Sequence, residues 1–69
     1  MANKIRYLRE KIGLNQKQLA ERTHIVQSAI SELERGVRKP WLNVAKKLSR
    51  VLKVPIREIF PQDFNKEDK

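Results

Sequence analysis

Cysteine is absent from the 69-residue sequence, and histidine occurs only once, at His24. Without cysteine the chain has no disulfide and no thiolate ligand for a metal, and a single imidazole is a poor start for a zinc site. We therefore expect no metal and no other cofactor. The absence of cysteine also fits a reducing compartment, and we expect the protein to act in the cytoplasm.

Long apolar runs are missing as well. No stretch approaches the roughly 18 consecutive apolar residues that a transmembrane helix needs. Residues 1–6 become charged too early to contain the apolar core of a signal peptide. The sequence therefore predicts no membrane partner and no export. It also lacks a nucleophile paired with a base and a glycine-rich phosphate loop, so we do not expect an enzyme.

The sequence also lacks the alternation of apolar and polar residues that marks a half-buried strand, and its apolar residues recur at helical spacing. This pattern predicts an all-α domain over residues 1–61, followed by a short polar tail over residues 62–69. The expected helices cover residues 4–12, 16–22, 26 or 27 to 35, 41–52 and 56–60. Pro61 is expected to end the last of them.

Several residues mark the expected helix ends. Asn3 and Asn15 are candidate N-caps, and Gln18 stands three residues after Asn15, as in a capping box. Gly13 and Gly36 follow helical segments and suit the left-handed conformation beyond a helix end. These signals predict that the first three helices begin and end close to the bounds given above.

The apolar residues of the helices predict one core. In the fourth helix Leu42, Ala45, Leu48 and Leu52 form a stripe, and Trp41 is expected to pack at its start, with a contact to a sugar-phosphate backbone as the alternative. The predicted core residues are Ile5, Leu8, Leu19, Ala20, Ile30, Leu33, Leu48 and Leu52.

The charge of the chain is strongly positive. Sixteen Lys and Arg residues stand against eight Asp and Glu, which gives a net charge of +8 and a sequence pI of about 10.3. Residues 35–53 contain basic side chains and no acidic one. A positive field within the body of a domain attracts polyanions, so nucleic acid is the favoured partner and an anionic membrane surface the weaker alternative.

The segment from residue 16 to residue 35 predicts a helix-turn-helix. Two short helices are separated by a few residues, and each has one apolar stripe. Such a pair packs at a steep angle, and a small residue such as Ala20 allows the two backbones to approach closely. The second helix would then present polar side chains of short and medium length, which suit contacts with base edges.

The sequences LNQKQLAE at residues 14–21 and QSAISELERG at residues 27–36 resemble the phage repressor and Cro (Xre-type) family of helix-turn-helix proteins. Leu48, the segment 52–55 and the pair Ile59 and Phe60 match the end of that domain, so the resemblance covers residues 3 to about 61. It implies a five-helix, lambda-repressor-like fold. It further implies a transcriptional regulator of double-stranded DNA, expected to be a repressor, that reads the major groove with the helix from about Val26 to Arg35.

The resemblance also implies roles for individual residues. Gln27 can bridge an adenine, Glu32 can accept from a cytosine, and Val26 can touch a thymine methyl group. Gln16 matches a phosphate-binding glutamine at a helix N-terminus. The implied base contacts are Val26, Gln27, Ser28, Ser31 and Glu32. The implied phosphate contacts are Gln16, Lys17, Arg35, Arg38 and Lys39. For each residue the alternative is a solvated surface position.

Three positions need a separate explanation. The family usually has an acidic residue at Glu34, and a structural ion pair with Arg6 or Arg9 explains it better than a contact with DNA. His24 replaces the usual glycine of the turn, so it must tolerate a positive φ or reshape the turn. Val26 replaces the usual Ser or Thr N-cap of the recognition helix and has no capping oxygen.

The expected working form is a homodimer on a pseudo-palindromic operator, because one helix reads too few base pairs to find a genomic site. The expected contact is the C-terminal apolar set Val54, Ile56, Phe60 and Phe64; the alternative is that these residues close the core. No small-molecule effector is expected. An antitoxin-type or protein-interaction module on the same fold is the alternative to a DNA-binding regulator.

Overall fold

A computed structural model describes residues 3–64, and these residues form six helices. They are α1 (Ile5–Lys11), α2 (Gln16–Thr23), α3 (Gln27–Arg35), α4 (Leu42–Leu52), α5 (Ile56–Ile59) and α6 (Pro61–Phe64). No strand occurs within this part of the chain. The all-α prediction is confirmed, and the bounds of α1 to α5 lie within one residue of the predicted ones.

The expectation that the domain has five helices and that Pro61 only ends the last one is wrong. Pro61 begins α6, because proline's fixed φ suits the first position of a helix and its missing N–H is not needed there. Phe64 of this helix packs edge-on against Phe60, with ring centroids 6.1 Å apart. Residues 62–64 are therefore helical, and residues 65–69 of the predicted tail lie outside the described residues.

The helix ends follow local signals in the sequence. The predicted capping box at α2 is present: the Gln18 N–H donates to Asn15 Oδ1 at 2.7 Å, and the Asn15 N–H donates to Gln18 Oε1 at 2.9 Å. Gly36 ends α3 with a φ of 77°, a left-handed conformation in which glycine carries no Cβ penalty. At α1 the N-cap residue is Lys4, although Asn3 Oδ1 accepts the N–H of Ile5.

The core contains every residue that the sequence predicted for it. Leu8 is half-buried against the core, and the other predicted residues are buried. The structure adds further buried side chains from the turns and from α4 and α5: Leu14, Ile25, Ala45, Ile59 and Phe60. Phe60 is only 1% exposed, so the prediction that it forms part of a dimer surface is wrong, because it closes the core instead.

Trp41 and Leu42 do not pack as predicted, since their exposed fractions are 71% and 52%. Trp41 is the N-cap residue of α4 and has an extended backbone, so helical periodicity does not set its direction. Leu42 is in the helix, but at about 100° per residue it lies about 120° around the axis from the buried Leu48. The buried stripe of α4 is therefore narrower than predicted, and it does not include Leu42.

The two ends of the described chain meet. The Lys4 N–H donates to the carbonyl oxygen of Ile59 at 3.0 Å. The Asn3 side-chain amide also donates to the carbonyl oxygen of Leu33, at 2.6 Å. The start of α1 is thus fixed both to the end of α5 and to α3, the predicted recognition helix.

Candidate nucleic-acid interface

The turn between α2 and α3 is made without glycine. His24 adopts the left-handed conformation, with φ 60° and ψ 33°, and its N–H donates to the carbonyl oxygen of Ala20. The next residue, Ile25, donates its N–H to the same carbonyl at 3.2 Å and buries its side chain in the core. Of the two possibilities that the sequence left open for His24, a positive φ or a reshaped turn, the structure shows the positive φ.

The N-terminus of α3 is exposed and has no side-chain cap. Val26, the N-cap residue, is extended, makes no capping hydrogen bond and is 69% exposed. Gln27 and Ser28 are exposed beside it. The first N–H groups of a helix have no intrahelical acceptor. This end of α3 therefore presents polar side chains and backbone donors together, and the roles of these residues as base contacts stay a prediction.

Farther along α3, a predicted base contact pairs with a predicted phosphate contact. Ser31 and Glu32 are half-buried, and Arg38 Nε donates to Glu32 Oε1 at 2.8 Å. The side chains of Glu32 and Arg38 are 38% and 48% exposed. An ion pair exposed to this degree contributes little to stability and can open. In the free protein Arg38 therefore lies beside α3 through a weak contact with Glu32.

An ion pair joins α1 to α3 beneath this surface. Arg9 Nε donates to Glu34 Oε2 at 2.7 Å, and the two side chains are 9% and 6% exposed. Arg9 Nη2 donates to the other carboxylate oxygen of Glu34 at 3.3 Å, and Nη1 donates to the carbonyl oxygen of Leu14 at 2.9 Å. The hydrogen bond to Glu34 raises the pKa of Arg9, with burial acting in the opposite direction.

The predicted pairing of Glu34 is thereby confirmed, and its partner is Arg9. Arg6, the other candidate, pairs with Glu10 across one turn of α1 at 3.3 Å. Sequence reasoning missed a second partner of Glu34, since Gln16 Nε2 donates to Glu34 Oε1 at 3.0 Å. Gln16 is the first residue of α2 and half-buried. The carboxylate of Glu34, on α3, thus contacts both α1 and α2.

The predicted phosphate contacts fall into separate groups. Gln16 and Arg35 line one cleft of about 310 Å³, together with Ser31 and Arg6. Sequence reasoning did not assign Arg6 to the interface, because no local signal joins α1 to this cleft. Lys17 lines a shallow hollow of about 360 Å³ beside His24 and Val26.

Lys39 lies apart from both groups. Its ammonium is 3.9 Å from Asp63 Oδ1, and its side chain is 92% exposed. At this exposure the contact with Asp63 is weak, and Lys39 remains free to meet a phosphate.

Residues 3–64 form neither a metal site nor a membrane span. No three His, Cys, Asp or Glu side chains lie close enough there to hold a metal ion. No helix in the same part of the chain is long and apolar enough to cross a membrane.

The family model described as "Helix-turn-helix" matches residues 5–59. An uncharacterized HTH-type transcriptional regulator of Archaeoglobus fulgidus is 35% identical over 60 residues, which cover 87% of this chain and 86% of that protein. A similarly described regulator of Mycobacterium tuberculosis is 34% identical over 56 residues, but these cover only 40% of its length. The matched region of the second protein is therefore one part of a larger chain.

A solved structure agrees with the sequence comparisons. The restriction-modification controller protein C.AhdI from Aeromonas hydrophila superposes with a TM-score of 0.77 and 35% sequence identity, covering 83% of this chain and 86% of that one. The fold, the family model and the relatives all agree with the resemblance carried by residues 14–36. The chain belongs to the Xre-like helix-turn-helix family of DNA-binding transcriptional regulators, and that family is not one of enzymes.

Proposed function

We propose that the protein is a cytoplasmic repressor that binds a pseudo-palindromic operator as a homodimer and reads the major groove with α3, the helix from about Val26 to Arg35. The observation that carries this proposal is the uncapped, exposed end of α3, where Val26, Gln27 and Ser28 stand together. A repressor needs only to occupy its operator, and a helix-turn-helix domain suffices for that.

The proposal divides the surface into two kinds of contact. Val26, Gln27, Ser28, Ser31 and Glu32 meet base edges and decide the sequence that is bound. Gln16, Lys17, Arg35, Arg38 and Lys39 meet phosphates, which fix affinity and register but carry no sequence information directly. Glu32 has two partners in this scheme, because its Oε1 accepts from Arg38 and a carboxylate has a second oxygen that can accept from a base.

Substitution of Gln27 and of Lys39 should have different effects. Gln27→Ala should cost about 1–3 kcal/mol on the best operator and relax the preference at one base pair. Lys39→Ala should weaken binding to all duplexes alike and reduce the slope of log affinity against log salt by about one. Fluorescence anisotropy titrations on operator and random duplexes, at several salt concentrations, measure both quantities.

Two control variants match this experiment. Gln62→Ala removes an exposed glutamine from α6, and Lys11→Ala removes an exposed lysine from the end of α1. Both should bind like the parent. The division of roles is wrong if Gln27→Ala and Lys39→Ala have the same effect, that is, if the ratio of operator affinity to random-duplex affinity changes equally in the two variants.

The dimer surface needs revision, because Phe60 is buried. Of the predicted set, Val54, Ile56 and Phe64 are half-buried and still offer partly accessible apolar area near the C-terminal end of the domain. Two copies placed symmetrically on a palindrome would set their recognition helices about 34–36 Å apart, which is one turn of DNA. We therefore propose Val54, Ile56 and Phe64 as the contact between the copies.

Analytical ultracentrifugation at micromolar concentration tests this contact. The parent should sediment as a dimer on its operator, and Phe64→Asp should shift the complex toward one protein per duplex, because an unpaired buried charge is costly. Trp41→Asp is the control, since it introduces the same charge at another aromatic residue, which is exposed and lies at the start of α4. Circular dichroism shows whether each variant is folded.

Phe64→Asp and Trp41→Asp together show where the two copies meet. Loss of the dimer in Trp41→Asp alone would move the contact to the start of α4. A parent that binds its operator as a monomer would overturn the homodimer.

A further inference from the structure

We propose that the surface between α3 and α4 docks an acidic segment of a partner protein, and that this partner and the operator exclude each other. The docking surface consists of Trp41, a small apolar notch beside it, and the cations Arg38 and Lys39. The exclusion rests on the proposed function, which assigns Arg38 and Lys39 to phosphates. The docking itself does not depend on that assignment.

Exposed apolar side chains are concentrated in the segment that joins α3 to α4. Of the six large apolar side chains that are exposed among residues 3–64, three lie within residues 37–42: Val37, Trp41 and Leu42. Trp41 has the largest exposed fraction of the six, 71%. Single exposed apolar residues are normal, but a group of them marks a surface that another molecule covers. Tryptophan and arginine are also enriched among the side chains that dominate the affinity of protein interfaces.

A notch of about 20 Å³, here called the Trp41 notch, opens beside Trp41. Its apolar walls come from the turn, from α3 and from α4, and they are Ile25, Ala29, Leu33 and Val44. The volume is large enough for one water molecule, but these walls offer none of the polar partners that hold a buried water. The Trp41 notch therefore suits the end of one aliphatic side chain.

The two cations beside the Trp41 notch already contact carboxylates. Arg38 Nε donates to Glu32 Oε1 at 2.8 Å. Lys39 Nζ lies 3.9 Å from Asp63 Oδ1. Both contacts are weak, because the side chains of Arg38 and Lys39 are 48% and 92% exposed. Carboxylates of a partner can take these places at little cost. The surface thus selects a segment that combines acidic residues with one apolar side chain.

Other occupants fit this surface less well. A second copy that met it across a two-fold axis would bring Arg38 and Lys39 of both copies together, and like charges placed opposite each other are costly. A DNA backbone supplies anions but no side chain that could enter the Trp41 notch. Residues 65–69 of the chain itself include two acidic residues but no apolar one. A separate acidic protein supplies both features.

Occupation of this surface would regulate operator binding. A carboxylate bound to Arg38 or Lys39 takes up donors that the proposed function assigns to phosphates. The negative charge of the bound segment also repels the DNA backbone at close range. The partner would therefore release the operator without any contact to the exposed end of α3 at Val26 and Gln27.

A display library of random short peptides, selected on the immobilised protein, tests the docking. Enriched peptides should contain one aliphatic or aromatic residue flanked by Asp or Glu. A fluorescent copy of the most enriched peptide should bind Trp41→Ala roughly thirtyfold more weakly, as expected for a central interface residue. Arg38→Met should weaken binding and reduce its dependence on salt.

Tyr7→Ala is the matched control, because it removes another exposed aromatic side chain, which lies on α1. It should bind the peptide like the parent. Circular dichroism should show Trp41→Ala folded, since most of the Trp41 side chain is exposed. Enrichment of peptides that do not depend on Trp41, or that lack acidic residues, would contradict the docking.

Competition with DNA is the second readout. The peptide should displace the operator from the parent but not from Trp41→Ala, and Trp41→Ala should itself bind the operator like the parent. Weaker operator binding by Trp41→Ala without loss of the peptide would assign Trp41 to the DNA backbone and overturn the docking. Simultaneous binding of peptide and operator would overturn the exclusion. Absence of specific operator binding in the parent would overturn the proposed function, whereas the affinity for the peptide would still be measurable.

Discussion

Leu48→Ala should lower the free energy of unfolding by about 2–5 kcal/mol, because it leaves a cavity that the surrounding helices fill only in part. Leu48 has no exposed area and lies in the middle of the buried face of α4. At roughly 0.05–0.15 kcal/mol per residue, a domain of this size has a total stability of only about 3–10 kcal/mol. We therefore expect a large drop in the melting temperature and a substantial unfolded fraction at moderate temperature.

A chemical denaturation curve followed by circular dichroism measures this loss. The matched control is Leu42→Ala, the same substitution on the same helix at a side chain that is 52% exposed. It should change stability much less, because little buried area is removed. Equal losses in the two variants would contradict the assignment of Leu48 to the core and of Leu42 to the surface.

Arg9→Met should destabilise the domain by about 3–5 kcal/mol, because it leaves the carboxylate of Glu34 buried without a compensating charge. The side chain of Glu34 is only 6% exposed, so water cannot replace the lost hydrogen bonds easily. The double variant Arg9→Met with Glu34→Leu should recover much of the loss, since a buried ion pair can often be replaced by apolar residues of similar volume. Arg6→Met, which breaks only an exposed pair, is the control.

Thermal melts of the parent, Arg9→Met, the double variant and Arg6→Met test this prediction. The contribution of Arg9 to stability should depend little on the pH of the measurement. The pKa of Arg9 is raised by Glu34. A raised pKa gives stability that is complete below the unfolded-state pKa and is lost only as the pH rises through the folded-state pKa. For an arginine both lie far above neutrality. A double variant that stays as unstable as Arg9→Met would show that packing around Arg9, and not the unpaired charge, is decisive.

The fold was predictable where local signals are strong. Asn15 and Gln18 form the expected capping box, and Gly36 ends α3 in the left-handed conformation. These features depend on a few neighbouring residues, so the sequence contains nearly all that determines them. The pairing of Glu34 was predictable for a different reason, because an acidic residue inside a basic surface needs a cationic partner.

Other features depend on how the helices meet, which local patterns do not contain. Phe60 ends α5 and Phe64 ends α6, yet Phe60 closes the core and Phe64 is only half-buried. The exposure of Trp41 follows from an extended backbone at the start of α4. The hydrogen bond from Gln16 to Glu34 joins residues 18 positions apart. Each of these depends on contacts between elements distant in sequence.

The hydrogen bond between Lys4 and Ile59 is expected to delay the folding of this domain during its synthesis. Ribosomes synthesise a chain from its N-terminus, and small units can fold as they emerge. In this domain the start of α1 is fixed by the carbonyl oxygen of Ile59. The core contains Ile5 from α1 and also Ile59 and Phe60. No shorter nascent fragment contains that core. The domain is therefore expected to fold only after α5 has left the ribosome, and until then chaperones can bind its exposed apolar residues.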